Sequence, residues 1–138
     1  MTQQPADGGA QLVVETRILE PAITAVSAAG SVDDRNAPAL RAAMIAAIDA
    51  GALYLVIELE QLEGLDSTGL GVLVGVLKRL YSRDGSMYLV GASARIQKIF
   101  QITGLVNVLP SAADTAAALV SIHAPGAAER TRGCDEPG

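Results

Sequence analysis

The apolar positions of this chain alternate between two spacings. Leu12–Leu19 (LVVETRIL) is rich in β-branched residues and predicts a strand. Glu20-Pro21 breaks it, because proline has no ladder hydrogen bond to donate. Ile23–Ala29 returns as a second strand, and so short a connection implies an antiparallel hairpin. Gly30–Arg35 then reads as a loop. Asn36 is placed to cap a helix that has Pro38 in its first turn. Leu40, Ala43, Met44, Ala47 and Ile48 follow helical spacing, and Gly51 ends the helix.

Leu53–Leu59 (LYLVIEL) is nearly continuous apolar, the pattern of a strand covered on both faces in a parallel sheet. Residues 60–66 read as a loop, and Ser67 begins a second helix. Leu70, Leu73, Val74, Leu77, Leu80 and Tyr81 share one of its faces. Asp84-Gly85 turns the chain into a strand at Met87–Val90. Ser93 caps a third helix that buries Ile96, Ile99 and Phe100 and ends at Gly104. Val106–Leu109 predicts a short strand, and Ser111 caps a last helix, with Asp114 three residues on. The order β-β-α-β-α-β-α-β-α implies an α/β fold. Its sheet would be mixed but mostly parallel, with about four to five strands packed by about four helices.

Composition narrows the function classes. The chain has 138 residues, enough for one hydrophobic core. Residues 1–10 and 123–138 are polar and rich in Gly and Pro, and they are expected to be disordered tails around a domain at 11–122. With no Trp, one Phe and a net charge of −5, the chain has neither the stacking platforms nor the basic field that nucleic acid requires. The same charge disfavours an anionic membrane surface, and no apolar run is long enough to span a bilayer. The N-terminus has no secretory pattern, and Cys134 has no second cysteine to pair with. The expected location is therefore cytoplasmic. No Cys/His cluster predicts a metal site, no Walker lysine predicts nucleotide binding, and no cofactor is expected.

The segment Gly64-Leu65-Asp66-Ser67-Thr68-Gly69-Leu70-Gly71 lies between a buried strand and a helix, where open α/β sheets concentrate function. Ser67 stands at or beside the N-cap, near unsatisfied amides and the positive end of the helix dipole. A phosphoryl group is compatible with that position and adds about −1.5 to −2 charges. A cap with no further role is the plain alternative, since serine is common there. Gly69 and Gly71 are expected to keep the surrounding surface low. Thr68, Val72, Gly75, Val76 and Arg79 are expected to form an outward strip for partner contact.

The string Leu53–Leu80 resembles the signature of the STAS domain of anti-sigma factor antagonists, which carry Asp-Ser-[Ser/Thr]-Gly-Leu after a hydrophobic strand. Gly30-Ser31-Val32-Asp33 is similar to the family's loop before the first helix. Ile102-Thr103-Gly104-Leu105 is similar to its element after the third. The resemblance spans roughly residues 12–120. Glu58 departs from it, standing where Asp is commoner, and Gly64 stands where a bulky apolar residue is commoner.

The resemblance implies that Ser67 is the phosphoacceptor. It further implies an anti-sigma factor partner with an ATPase-type serine kinase fold, a PP2C-type phosphatase that reverses the modification, and release of a sigma factor by the unmodified form. Asp33, Asp34, Asp66, Thr68, Gly69, Val72, Val76 and Arg79 are the expected contact residues. Each acid is equally readable as a solvated turn former.

Enzyme readings fit less well. A serine hydrolase elbow needs glycine where Leu65 stands, and the one histidine, His123, lies at the edge of the C-terminal tail. An aspartic protease motif is interrupted by Thr68. The remaining alternative is a STAS scaffold or regulatory subunit without a phospho-switch.

Overall fold

The computed structural model describes residues 11–124. Strands β1 (Leu12–Glu20) and β2 (Ile23–Val32) form the antiparallel hairpin. Its turn holds Ala22 at φ 70°, and a register shift between Ile18 and Glu20 marks a bulge. Helix α1 (Ala37–Asp49) follows, then β3 (Tyr54–Glu58), β4 (Leu62–Leu65), α2 (Ser67–Tyr81), β5 (Ser86–Val90), α3 (Ala94–Thr103), β6 (Ser111–Ala112) and α4 (Thr115–His123). The sheet is mixed, ordered β1-β2-β3-β5-β6, with every pairing after the hairpin parallel.

β2 is ten residues long and serves two partners in succession. Its first half pairs with β3 from Ile23–Tyr54 to Ser27–Glu58. Its second half pairs with β4, ending at Val32–Leu65. The expected loop at 60–66 therefore contains a strand. Its alternation is short, Leu62 and Leu65 buried with Glu63 exposed between them, and the pairing comes from the free half of β2.

Two cores sandwich the sheet. On one face α1, α2 and α3 cover Val26, Leu55, Ile57, Met87 and Leu89. On the other, among the described residues, α4 covers Ile23, Val56, Tyr88 and Val90 with Ala118 and Ile122. Coverage of β3 and β5 from both sides explains the continuous apolar pattern of Leu53–Leu59.

Three local expectations are corrected. Val106–Leu109 is not a strand: Leu105–Asn107 is a 3-10 turn, and only Ser111–Ala112 joins the sheet. The Pro110 carbonyl accepts the Leu89 N–H at 2.9 Å, but proline cannot return a bond, so pairing begins one residue later. With Ser111 taken by the sheet, Asp114 caps α4 through the Ala117 amide at 2.8 Å. Asn36 sits at the N-cap of α1 without capping it, because its side chain is used in the preceding loop. The expected tail at 1–10 lies outside the described residues. Of 123–138 only His123 and Ala124 are described, and His123 still belongs to α4.

Candidate functional site

The parallel pairing Val32–Leu65 brings two strand ends level. Asp33 leaves β2 and Asp66 leaves β4 side by side, and the Asp66 N–H donates to the Val32 carbonyl at 3.2 Å. The β2–α1 loop and the start of α2 thus form one surface at the carboxyl edge of the sheet, the edge where open α/β folds place ligands.

Asp66, in extended backbone, is the N-cap of α2. Its Oδ1 accepts the Gly69 N–H at 3.0 Å, and its carbonyl accepts the Leu70 N–H at 3.0 Å. Ser67 is therefore the first helical residue, not the cap, and its side chain is exposed. With the Gly69 and Leu70 amides engaged, those of Ser67 and Thr68 remain at the open mouth of the helix.

The adjoining loop is tied down by side chains. Asp33 Oδ1 accepts the Arg35 and Asn36 amides at 2.9 and 3.3 Å, and Oδ2 meets the Arg35 guanidinium at 3.1 Å. The Arg35 hydrogen bond is the main reason the Asp33 carboxyl is held below the usual carboxylate range. Asn36 accepts the Asp33 N–H at 2.9 Å and donates to the Ser31 carbonyl at 2.9 Å. Asp33 is half-buried and Asp34 exposed. The loop adjoining the start of α2 carries Asp33 and Asp34, and Asp66 directly precedes Ser67.

The outward strip differs from the expected one. Thr68, Gly75 and Arg79 are exposed, but Val76 is only 1% exposed and Val72 is half-buried against the core. α2 packs on β5 and β4 and also against α1, so its buried arc is wider than a single sheet contact produces. The exposed line runs Ser67, Thr68, Gly71, Gly75, Lys78 and Arg79. Gly69 is also corrected: it is buried, and a Cβ there would stand 2.5 Å from Leu65 Cδ1 and 2.7 Å from Val32 Cγ1. Its role is close approach of helix and strand. Gly71 does have open space around it. Leu65, which breaks the hydrolase elbow, is core. His123 pairs with Glu20 at 2.8 Å, on α4.

Sequence reasoning missed a second polar cluster. Glu58 receives two bonds from Arg17, at 2.7 and 2.8 Å, and one from the Thr115 hydroxyl at 2.7 Å. The Arg17 bonds are the first cause holding the Glu58 carboxyl low, against the opposing effect of its burial. This clamp joins β1, β3 and α4. The longer Glu reaches a strand two positions away, which suits the residue found where the resemblance leads one to expect Asp. Among the described residues no group of three or more His, Cys, Asp or Glu is arranged to hold a metal ion. No described helix is long and apolar enough to cross a membrane.

A mixed sheet with a capped, serine-bearing helix beside the β2–α1 loop matches a known family. The STAS domain model matches residues 14–118, and the chain belongs to that family. It is 36% identical over 84 residues to the anti-sigma-B factor antagonist of Staphylococcus aureus, an alignment covering 61% of this chain and 78% of the relative. An anti-sigma factor antagonist from Mycobacterium paratuberculosis has a similar structure, with TM-score 0.72 and 26% identity, covering 88% of this chain and all of that one. Unphosphorylated SpoIIAA shares the fold, with TM-score 0.67 and 23% identity over 88% of this chain and 97% of its own.

Proposed function

We propose that this chain is an anti-sigma factor antagonist whose binding is switched off by phosphorylation of Ser67. The observation that carries the reading is the place of the Ser67 hydroxyl. It is exposed on the first turn of α2, next to the capping Asp66 and level with the β2–α1 loop. The name of the Staphylococcus aureus relative supports the antagonist class. Kinase and phosphatase partners come from the family resemblance of the Asp66-Ser67-Thr68-Gly69-Leu70 motif.

In this reading the unmodified protein occupies an anti-sigma factor of ATPase-type kinase fold in the cytoplasm and so frees a sigma factor. The kinase transfers the γ-phosphoryl group of ATP to Ser67 Oγ. ADP leaves, and the hydroxyl proton passes to a base on the kinase. A PP2C-type phosphatase hydrolyses the ester and restores the serine. The chain itself contributes no catalytic group, only a presented hydroxyl.

The effect of the phosphate follows from its surroundings. The Ser67 and Thr68 amides and the helix dipole favour a dianion, so α2 stays folded. The carboxylates of Asp66, Asp33 and Asp34 add repulsion, and Arg35 already pairs with Asp33. The modified surface is therefore strongly anionic, and an interface that buries it must both desolvate it and match it with positive charge. Each 1.4 kcal/mol of mismatch is about tenfold in affinity.

Incubation with candidate kinases and ATP, read by intact mass, tests the reading. Wild type gains about 80 Da, the phosphoryl group, and Ser67→Ala gains nothing while still binding the anti-sigma factor. A full gain on Ser67→Ala that maps to Thr68 refutes the assignment. A chain that gains no mass yet assembles into a large complex is a scaffold.

A further inference from the structure

The two edges of the sheet are treated differently. β6 is two residues long and preceded by Pro110, which blunts that edge. β1 is nine residues long, carries no proline or lysine, and its bulge lies only at its far end. Arg17, the charge that could guard it, is drawn across the sheet to Glu58. Val13 and Ile18 on this strand are 55% and 78% exposed. In the ladder with β2, the Ser31 N–H donates to the Gln11 carbonyl. Alternation from that bond turns the backbone groups of Leu12, Val14, Thr16 and Ile18 away from β2.

The geometry points to a second copy of this chain as the partner of that edge: we propose that β1 pairs antiparallel with its own copy across a two-fold axis at Thr16. Among registers centred on Glu15, Thr16 or Arg17, only the one centred on Thr16 sets opposite charges against each other. With Thr16 opposite Thr16, Glu15 faces Arg17 of the other copy and Val14 faces its Ile18. A one-residue slip sets opposite faces against each other. Centring the pair on Glu15 opposes two acids, and centring it on Arg17 opposes two bases, both destabilising. Thr16, Val14 and Ile18 present outward amides, so the central pairs are hydrogen-bonded ones.

The side chains also fit. Val14, Thr16 and Ile18 line a groove of about 500 Å³ against the small side chains Ala43, Ala46 and Ala47 of α1. The Val14 and Ile18 pairs lie along it on both sides of the axis. The contact is isologous, so it closes as a dimer and does not propagate. The edge is distinct from the Ser67 surface, and the proposal stands independently of the phospho-switch.

Sedimentation and engineered cross-linking test it on the full chain. Wild type is expected to sediment with twice its 14.1 kDa mass at high concentration. Thr16→Pro removes an outward N–H without touching the β2 ladder and should give a folded monomer. Glu15→Lys, which turns two symmetric attractions into repulsions, should raise the dimer Kd about tenfold. In a Cys134→Ser background, Thr16→Cys should oxidise to a disulfide-linked dimer, since facing hydrogen-bonded residues are about 5.5 Å apart. Val13→Cys should not, its copies standing about 20 Å apart in this register. A wild type that stays monomeric to about 1 mM, or a dimer cross-linked through Val13 and not Thr16, overturns the proposal. Should Thr16→Pro fail to fold, the Glu15→Lys and cysteine arms still decide it.

Discussion

The Asp66 N–H donates to the Val32 carbonyl at 3.2 Å, one step past the last paired residues of β2 and β4. That bond fixes where β4 stops and where α2 starts. It also sets the Asp33 loop beside Ser67, although more than thirty positions separate them in the chain.

Asp66→Ala removes the side-chain cap on the Gly69 amide and should cost about 1 kcal/mol of stability. Asp66→Asn keeps a good cap and removes the charge, so it should be nearly neutral. Urea unfolding of both separates capping from electrostatics. Equal losses would show that the charge, not the hydrogen bond, matters.

Gly69→Ala and Gly71→Ala form a matched pair on one helical turn. The first places a Cβ against Leu65 and the stiff, buried Val32, and should destabilise by about 1–3 kcal/mol. The second meets nothing within 4 Å and should stabilise α2 by about 0.5–1 kcal/mol. Thermal midpoints of the two variants should move in opposite directions.

Val76 is core, so Val76→Asp should cost more than about 4 kcal/mol or leave the chain unfolded. Arg79→Ala, on the exposed line, should change stability by less than about 0.5 kcal/mol. Circular dichroism melts check both. A Val76→Asp protein with an unchanged midpoint would place that side chain outside the core after all.

Glu58 gives the protein an acid-sensitive contact. Its carboxyl is held below the ordinary value of 4.5 first by the Arg17 hydrogen bonds and then by the Thr115 hydroxyl. A group whose folded pKa is depressed stabilises the native state above its unfolded value and loses that contribution as pH falls through the folded one. Stability should therefore decline below about pH 4.5 more steeply in wild type than in Glu58→Gln, which has nothing to titrate there. Urea midpoints at stepwise lower pH measure the two slopes. Parallel slopes would mean that Arg17 does not couple to Glu58 in solution.

Much of this was legible in the residues themselves. The hairpin follows from two β-branched runs around Glu20-Pro21, and β3 follows from the unbroken apolar run at 53–59. The third helix follows from Ser93 as cap and Gly104 as stop, at φ 80°. These signals are local, because dihedral preference, capping and periodicity act within a few residues. Ser67 at the start of α2 was legible for the same reason.

Other features depend on what a segment packs against. A strand at Leu62–Leu65 exists because β2 has unpaired length left to offer it. Val76 is buried because α2 meets α1 as well as the sheet, which no reading of one helical face contains. Arg17, Glu58 and Thr115 meet across 41 and 57 residues of chain. By itself, the sequence determined the hairpin, the four helices, the two central strands and the serine at a helix mouth, through short-range backbone and capping energetics. Only the tertiary structure decided which helix face is free, which loop stands beside that serine, and that β1 is the long outer strand of the sheet among the described residues, because each depends on burial and pairing between segments far apart in the chain.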